Sequence, residues 1–98
     1  MKCKDYFERG TAIKVDMLFC LPIPQSVTKK RRLDMIGGVE RHTKKPDTDN
    51  LIKAVLDALN GVAYEDDAQI VMIAARKCYS VHPHIEIRIQ PDEAGGET

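Results

Sequence analysis

No apolar run in the sequence comes near the roughly 20 residues needed to span a bilayer. Residues 1–6, Met-Lys-Cys-Lys-Asp-Tyr, lack the apolar segment of a secretion signal. The expectation is a soluble protein of the cytoplasm, without membrane contact. Cysteine is sparse: Cys3, Cys20 and Cys78 are odd in number and far apart, with no CxxC pair and no histidine at zinc-ligand spacing. Neither a disulfide framework nor a zinc site is favoured by such spacing, and Cys20 and Cys78 read as core residues. Tryptophan is absent and other aromatics are few. Neither sign of charge prevails, since 15 basic side chains stand against 15 acidic ones, a balance that ordinarily speaks against a nucleic-acid partner. Repeats and low-complexity tracts are missing too, except in the last residues, 92–98, which read as a flexible tail.

What is present is one domain, expected over residues 1–91. A chain of 98 residues buries only about 60 to 70% of its unfolded surface, so one modest core is all it can build. The charges, moreover, are segregated. Residues 29–45 hold seven basic side chains (Lys29, Lys30, Arg31, Arg32, Arg41, Lys44 and Lys45) against Asp34 and Glu40, a local excess of five. This basic block adjoins an acidic one directly, which reopens the question of a polyanionic partner.

Residues 1–10 show no period and end at Gly10, an irregular lead-in. Residues 11–20 alternate, with Ile13, Val15, Met17 and Phe19 on one face and Lys14, Asp16, Leu18 and Cys20 on the other; this is a strand, stopped by Pro22 and Pro24. Ser26 can cap a short basic helix over 27–36 that Gly37-Gly38 ends, and a Gly-Gly hairpin fits the same residues. Residues 39–46 read as an extended approach to the next helix, because Pro46 has no place in a central strand. Residues 68–79 are apolar on both faces for most of their length, the mark of a strand in the middle of a covered sheet. A turn over 80–83 and the strict alternation of 84–90 predict a half-exposed strand antiparallel to its predecessor, ended by Pro91. The expected fold class is a two-layer α/β (α+β) domain, a small mixed sheet packed against one or two helices.

The chain is organised around residues 44–69. Pro46 disfavours helix just before it, Asp49 is a good N-cap, and residues 51–59 are almost all strong helix formers. Leu51, Val55, Ala58 and Leu59 share one face, widened by Ile52 and Leu56. Asn50, Lys53, Asp57 and Asn60 form the opposite stripe, and Gly61 is the left-handed stop. Acidic groups flank this helix: Asp47 and Asp49 before it, Glu65, Asp66 and Asp67 after it. An extended Asp-x-Asp directs both side chains to one side of the backbone. If the strand entered by Asp66 and Asp67 lies beside the segment carrying Asp47, carboxylates remote in sequence can approach one cation. An all-oxygen set without His or Cys suits Mg²⁺, or Mn²⁺. Carboxylates about 4 Å apart repel by roughly 1 to 4 kcal/mol, and a divalent ion reverses that sign. Such an ion can polarise a phosphate and acidify a water, the needs of phosphodiester hydrolysis. Lys53 is placed to stabilise transition-state charge or hold the attacking water, and the basic block to contact backbone phosphates. No organic cofactor is indicated.

Each of these residues has a plainer reading. Asp47 and Asp49 can act simply as helix-capping charges, worth about 1 kcal/mol. Lys53 can be an i,i+4 partner of Asp49 or Asp57. Glu65 fits a solvated turn, and the run 29–32 an exposed helix face. An EF-hand loop is excluded, because Leu51 and Ile52 stand where an oxygen ligand and glycine are required. His42, His82 and His84 are scattered and carry no assigned chemistry, though His42 lies near enough to the basic block to touch a phosphate.

Lys45-Pro46-Asp47-Thr48-Asp49-Asn50-Leu51, then Lys53, Asp57-Ala58-Leu59-Asn60-Gly61 and Asp66-Asp67-x-Gln69-Ile70 together resemble the core of the RusA family of Holliday junction resolvases, in its phage and prophage form. The likeness covers residues 42–90, and several spaced elements coincide. It implies a homodimeric, Mg²⁺-dependent endonuclease that nicks four-way DNA junctions symmetrically, in recombination and repair. The family's catalytic aspartates fall on Asp47, Asp49 and Asp67 and its essential lysine on Lys53, with Asp66 adjacent as a further metal ligand. Family members carry a further strand, a basic loop and a helix ahead of the strand at 11–20, and the expectation is a chain without them. A junction-binding module without catalysis and a general Mg²⁺ phosphodiesterase are the alternative functions.

Overall fold

A computed structural model of the chain describes residues 6–92. The first part of the expected lead-in, with Cys3, and the expected tail from residue 93 onward lie outside the described residues. Strand β1 (Ile13–Pro22) is followed by helix α1 (Lys29–Ile36), helix α2 (Thr48–Leu59), a 3-10 turn (Asp67–Gln69), strand β2 (Ile70–Ser80) and strand β3 (His84–Pro91). The small mixed sheet with two helices matches the expected fold class.

The sheet order is β2-β1-β3, with β2 parallel and β3 antiparallel to β1. This corrects two expectations. The strand that is apolar on both faces is an edge, not the centre, and β3 pairs with β1 rather than with its predecessor. The reason lies in connectivity: β1 and β2 are joined through α1 and α2, and a parallel neighbour needs such a long crossover. The short link 81–83 then carries the chain past the end of β1 to its other edge. Lying at the edge, β2 leaves Val71, Met72 and Ile73 between 58% and 39% exposed. Val71 is also the extra residue of a bulge, since Ile13 pairs with Ile70 and Lys14 with Met72.

β1 itself has the alternation expected of it. Ile13, Val15, Met17 and Phe19 are buried, and Val15, Met17 and Phe19 pack with Val55 of α2. Leu51, Ile52, Leu56 and Leu59 join them, so the apolar face read from the sequence is the packed one, although Ala58 is exposed. A second cluster, Ile13, Ala63 and Tyr64 with Phe7 and Leu59, closes the other end. Cys20 is buried, Cys78 is half-buried, and their sulfurs lie 3.6 Å apart. Burial, and next the contact with Cys78, raises the Cys20 thiol to about 11.

Helix boundaries shift modestly from expectation. The cap of α1 is Thr28, whose hydroxyl accepts from the Arg31 N–H, rather than Ser26, and Gly37 follows as the stop, which settles the region as helix rather than hairpin. Helix α2 starts at Thr48 with Asp47, not Asp49, as N-cap. Gly61 has φ +81°, the left-handed conformation expected of it. Residues 39–46 contain bends and no strand, with a cis Lys45-Pro46 bond.

The β1–α2 contact predicts how stability is distributed. Phe19→Ala should lower the free energy of unfolding in urea by about 3 to 5 kcal/mol, as for a fully enclosed aromatic. Val71→Ala, at the exposed edge, should change it by less than about 0.5 kcal/mol.

Candidate metal and nucleic-acid site

Asp47 has extended dihedrals, φ −71° and ψ 145°, and caps α2 through its backbone, its carbonyl accepting from the Leu51 N–H at 3.1 Å. Its side chain makes no capping bond, so of the plain reading only the interaction of its charge with the helix dipole remains. Asp49 lies in the first turn of α2, where the helix dipole favours an anion. Both side chains are exposed, as is Lys53 one turn further on. Among the described residues the ion pairs are Arg9–Glu65, Lys30–Asp34, Arg31–Glu40 and His84–Glu86. Lys53 belongs to none of them, so the helical pairing with Asp49 or Asp57 is not made.

The backbone leading into Asp47 is anchored to the end of β2. Lys77 donates its ammonium protons to the Lys44 carbonyl at 2.8 Å and the Pro46 carbonyl at 3.0 Å. The His42 ring lies on Tyr79 with centroids 4.7 Å apart. Burial, and next the nearby Lys77 charge, lowers the pKa of His42. These anchors, rather than strand pairing, position residues 42–46. Leu21, Pro22, His42, Lys44, Lys45 and Tyr79 line a cleft of about 230 Å³ there.

The second acidic group is held by a different device. Gln69 is buried, and its side-chain oxygen accepts from the Glu65 and Asp66 N–H groups, both at 2.9 Å. Its amide donates to the Glu8 carbonyl at 2.8 Å and the Thr11 carbonyl at 3.0 Å, tying the lead-in to the acidic turn. Asp66 completes a capping box by accepting from the Ala68 N–H. Asp67 accepts a 2.8 Å hydrogen bond from Tyr64, a fully buried residue. Burial, and next that bond, pushes the Tyr64 hydroxyl above its usual range, so it remains a donor to Asp67. Glu65 is not simply solvated: it accepts from Tyr6 and pairs with Arg9.

The two groups stand at different heights on α2. Asp47 and Asp49 mark its start, whereas the Tyr64 hydroxyl that holds Asp67 also reaches the Leu56 carbonyl at 3.5 Å, in the last turns. Seven residues of helix, roughly 10 Å, separate Asp49 from Leu56, and Lys53 lies between in height. Among the described residues, the one group of three metal-ligating side chains with atoms within 4.8 Å of each other is Cys20, His84 and Glu86. The four aspartates are not such a group. Their chemistry still fits a magnesium ion, which binds through one or two carboxylates and fills its remaining positions with water and substrate phosphate.

Of the basic side chains, Arg31 is bound through two hydrogen bonds, 3.2 and 2.7 Å, to Glu40, and Lys30 to Asp34 at 3.2 Å. The Arg31–Glu40 pair fastens α1 to the segment after it. Lys29, Arg32, Arg41, Lys44 and Lys45 are exposed. The organising roles of three residues, Tyr64, Gln69 and Lys77, escaped the sequence reading, although Gln69 stood in the quoted motif. The Asp66-x-x-Gln69 spacing of a capping box was a usable signal for Gln69; Lys77 had none, since its partners are some thirty residues away.

A family model described as "Endodeoxyribonuclease RusA" matches residues 2–90. The match extends over nearly the whole described fold, and the chain is a member of the RusA endodeoxyribonuclease family. It is 40% identical over 80 residues to YqaN of Bacillus subtilis (strain 168), an uncharacterized protein, covering 80% of this chain and 56% of that one. It is 35% identical over 89 residues to the crossover junction endodeoxyribonuclease rusA of Lactococcus phage r1t, covering 90% of this chain and 61% of that one. The chain thus spans less than two thirds of the length of either relative. No solved structure matches.

Gln69→Ala should cost at least about 2 kcal/mol, because it strips two backbone donors and two backbone acceptors of their partner together. The check is urea denaturation combined with hydrogen exchange, which should show the Glu65 and Asp66 amides exchanging faster than in the parent. Unchanged protection there would mean that Gln69 does not hold the acidic turn.

Proposed function

We propose that this chain carries the catalytic part of a Mg²⁺-dependent endonuclease that cuts four-way DNA junctions by direct attack of water, without a covalent intermediate. The observation that carries this reading is the uncommitted pair of exposed carboxylates, Asp47 and Asp49, at the start of α2, beside a cleft bordered by His42, Lys44 and Lys45. Asp47 and Asp49 are the residues that would hold the ion; the family pattern adds Asp67, with Asp66 beside it, from the turn before β2 toward the other end of α2. A bound Mg²⁺ supplies Lewis-acid polarisation of the scissile phosphate and a more acidic water; Mn²⁺ can substitute.

The chain's own side chains supply the rest. Lys53, unpaired by any acid among the described residues, can balance charge growing on the phosphate oxygens. Tyr64 holds Asp67 by one oxygen and leaves the other free. Lys29, Arg32, Arg41, Lys44 and Lys45 are free to contact backbone phosphates, with Lys30 and Arg31 able to join once released from their acids. The substrate's two-fold symmetry suits a homodimer. Apolar surface for one is available at Ile85 and Ile87, 52% and 40% exposed, which border a groove of about 330 Å³ against α2.

Cleavage of a synthetic four-way junction in Mg²⁺ tests the reading. Asp49→Asn should reduce the rate by about 100-fold or more, and Lys53→Ala by a similar factor, with junction affinity changing little in either. Equal cleavage by parent and Asp49→Asn would remove the proposed metal role. Salt-sensitive junction binding without nicking in any metal would favour a binding module instead, and equal rates on linear duplex and junction a general phosphodiesterase. Replacing Lys44 and Lys45 together by Ala should lower the slope of log K against log salt by about 1 to 2.

A further inference from the structure

At the end of the sheet where β1 and β2 finish and β3 begins, the strand registers assemble side chains that the nuclease reading leaves unused. Cys20 lies opposite Cys78 in the parallel pair and opposite His84 in the antiparallel pair. Glu86, two residues along β3, shares the face of His84. A ligand atom from each of Cys20, His84 and Glu86 lies within 4.8 Å of the other two. The Cys78 sulfur is 3.6 Å from that of Cys20, and His84 Nε2 is 2.8 Å from Glu86 Oε2.

The histidine is already oriented. Its Nδ1 sits 2.6 Å from the His82 carbonyl, and a carbonyl can only accept, so Nδ1 carries a proton. Nε2 is therefore the nitrogen turned toward the sulfur and the carboxylate. A backbone carbonyl fixing one ring nitrogen so that the other faces the ion is the usual support of a metal-bound imidazole.

We propose that Cys20, His84 and Glu86, with Cys78 as the fourth ligand, form a zinc site that clasps the ends of the three strands. Two sulfurs, an imidazole and a carboxylate make a borderline-soft donor set, matched to Zn²⁺ and mismatched to Mg²⁺. Tetrahedral zinc with Zn–S near about 2.3 Å and Zn–N near about 2.0 Å spaces its ligand atoms by roughly 3.3 to 3.8 Å. The sulfur pair already has that spacing, and the His84–Glu86 pair opens to it when the proton between them leaves. His84 and Glu86 side chains are 46% and 61% exposed, giving an ion a route in, while Cys20 closes the inner side. Within the same run of β2, Lys77 and Tyr79 hold Lys44, Pro46 and His42. Fastening Cys78 therefore steadies the stretch that leads to Asp47, so the site's role is structural. It does not depend on the nuclease reading.

The test titrates the reduced, chelator-stripped chain with Co²⁺ and then Zn²⁺. The expected result is one equivalent bound, with thiolate-to-cobalt charge-transfer absorption and tetrahedral d–d bands that Zn²⁺ abolishes. His84→Ala, at an exposed position, should weaken zinc binding by at least about 100-fold, and Cys78→Ser should lower the charge-transfer intensity while leaving a complex. The Asp47→Asn, Asp49→Asn double variant should bind zinc as the parent does, which separates this site from the oxygen site. Absence of the charge-transfer band, sub-stoichiometric binding, or parental affinity in His84→Ala would overturn the proposal. Circular dichroism of each apo variant distinguishes lost ligation from lost fold.

Discussion

The pairing of β1 along both edges governs where everything else lies. Its backbone is satisfied on either side, and its odd-numbered residues, Val15, Met17 and Phe19, must be covered on one face. A parallel partner can reach β1 only through a crossover, and the helix in that crossover is the natural cover. Helix α2 therefore descends against β1 from the end where both parallel strands finish, and β2 begins where α2 stops. Asp47 and Asp49 are thereby delivered to one end of the helix and Asp66 and Asp67 toward the other. Their arrangement is a consequence of topology before it is a matter of chemistry.

Holding exposed carboxylates in place needs neighbours that do not neutralise them. The acidic turn is fixed through its backbone, by Gln69, and through a neutral donor, Tyr64. The start of α2 is fixed through carbonyls, by Lys77. Of the paired acids, Asp34, Glu40 and Glu65 fasten α1, the following segment and the lead-in, while Glu86 pairs with His84 on β3. This division leaves Asp47 and Asp49 with their charge undiminished, the condition under which a divalent ion gains most from binding.

Much of this was legible because it is local. The alternation of β1, the apolar stripe of α2 and the left-handed Gly61 each follow from residues within a few positions of one another, whereas helix and hairpin stayed open for residues 27–38 until the fold settled them. Strand order was not. Residues 70–80 look central because apolar side chains point both ways, yet Val71, Met72 and Ile73 are exposed at an edge; hydropathy records what a strand can bury, not what is there to cover it. The proximity of the cysteines was hidden for a related reason. Cys20, Cys78 and His84 are far apart in sequence but neighbours across three strands, and register is invisible to a spacing rule. Likewise Asp47 and Asp67 were expected to converge on the condition that the segments carrying them lie side by side, a condition only the fold can supply.

That exposed edge has a physical consequence of its own. Among the described residues, β2 has no strand partner on its outer side and carries apolar side chains on both faces, and β3 leaves Ile85 and Ile87 only partly covered by α2. Water contact with so much aliphatic surface is unfavourable by about 25 cal/mol per Å², and an unprotected strand edge recruits other strands. The chain thus carries surface suited to further burial. A second copy of the chain, as in the proposed homodimer, is one way to supply that cover. The apolar edge is on β2, whereas Asp47 and Asp49 stand on α2, so the cover one needs and the exposure the other has fall on different elements.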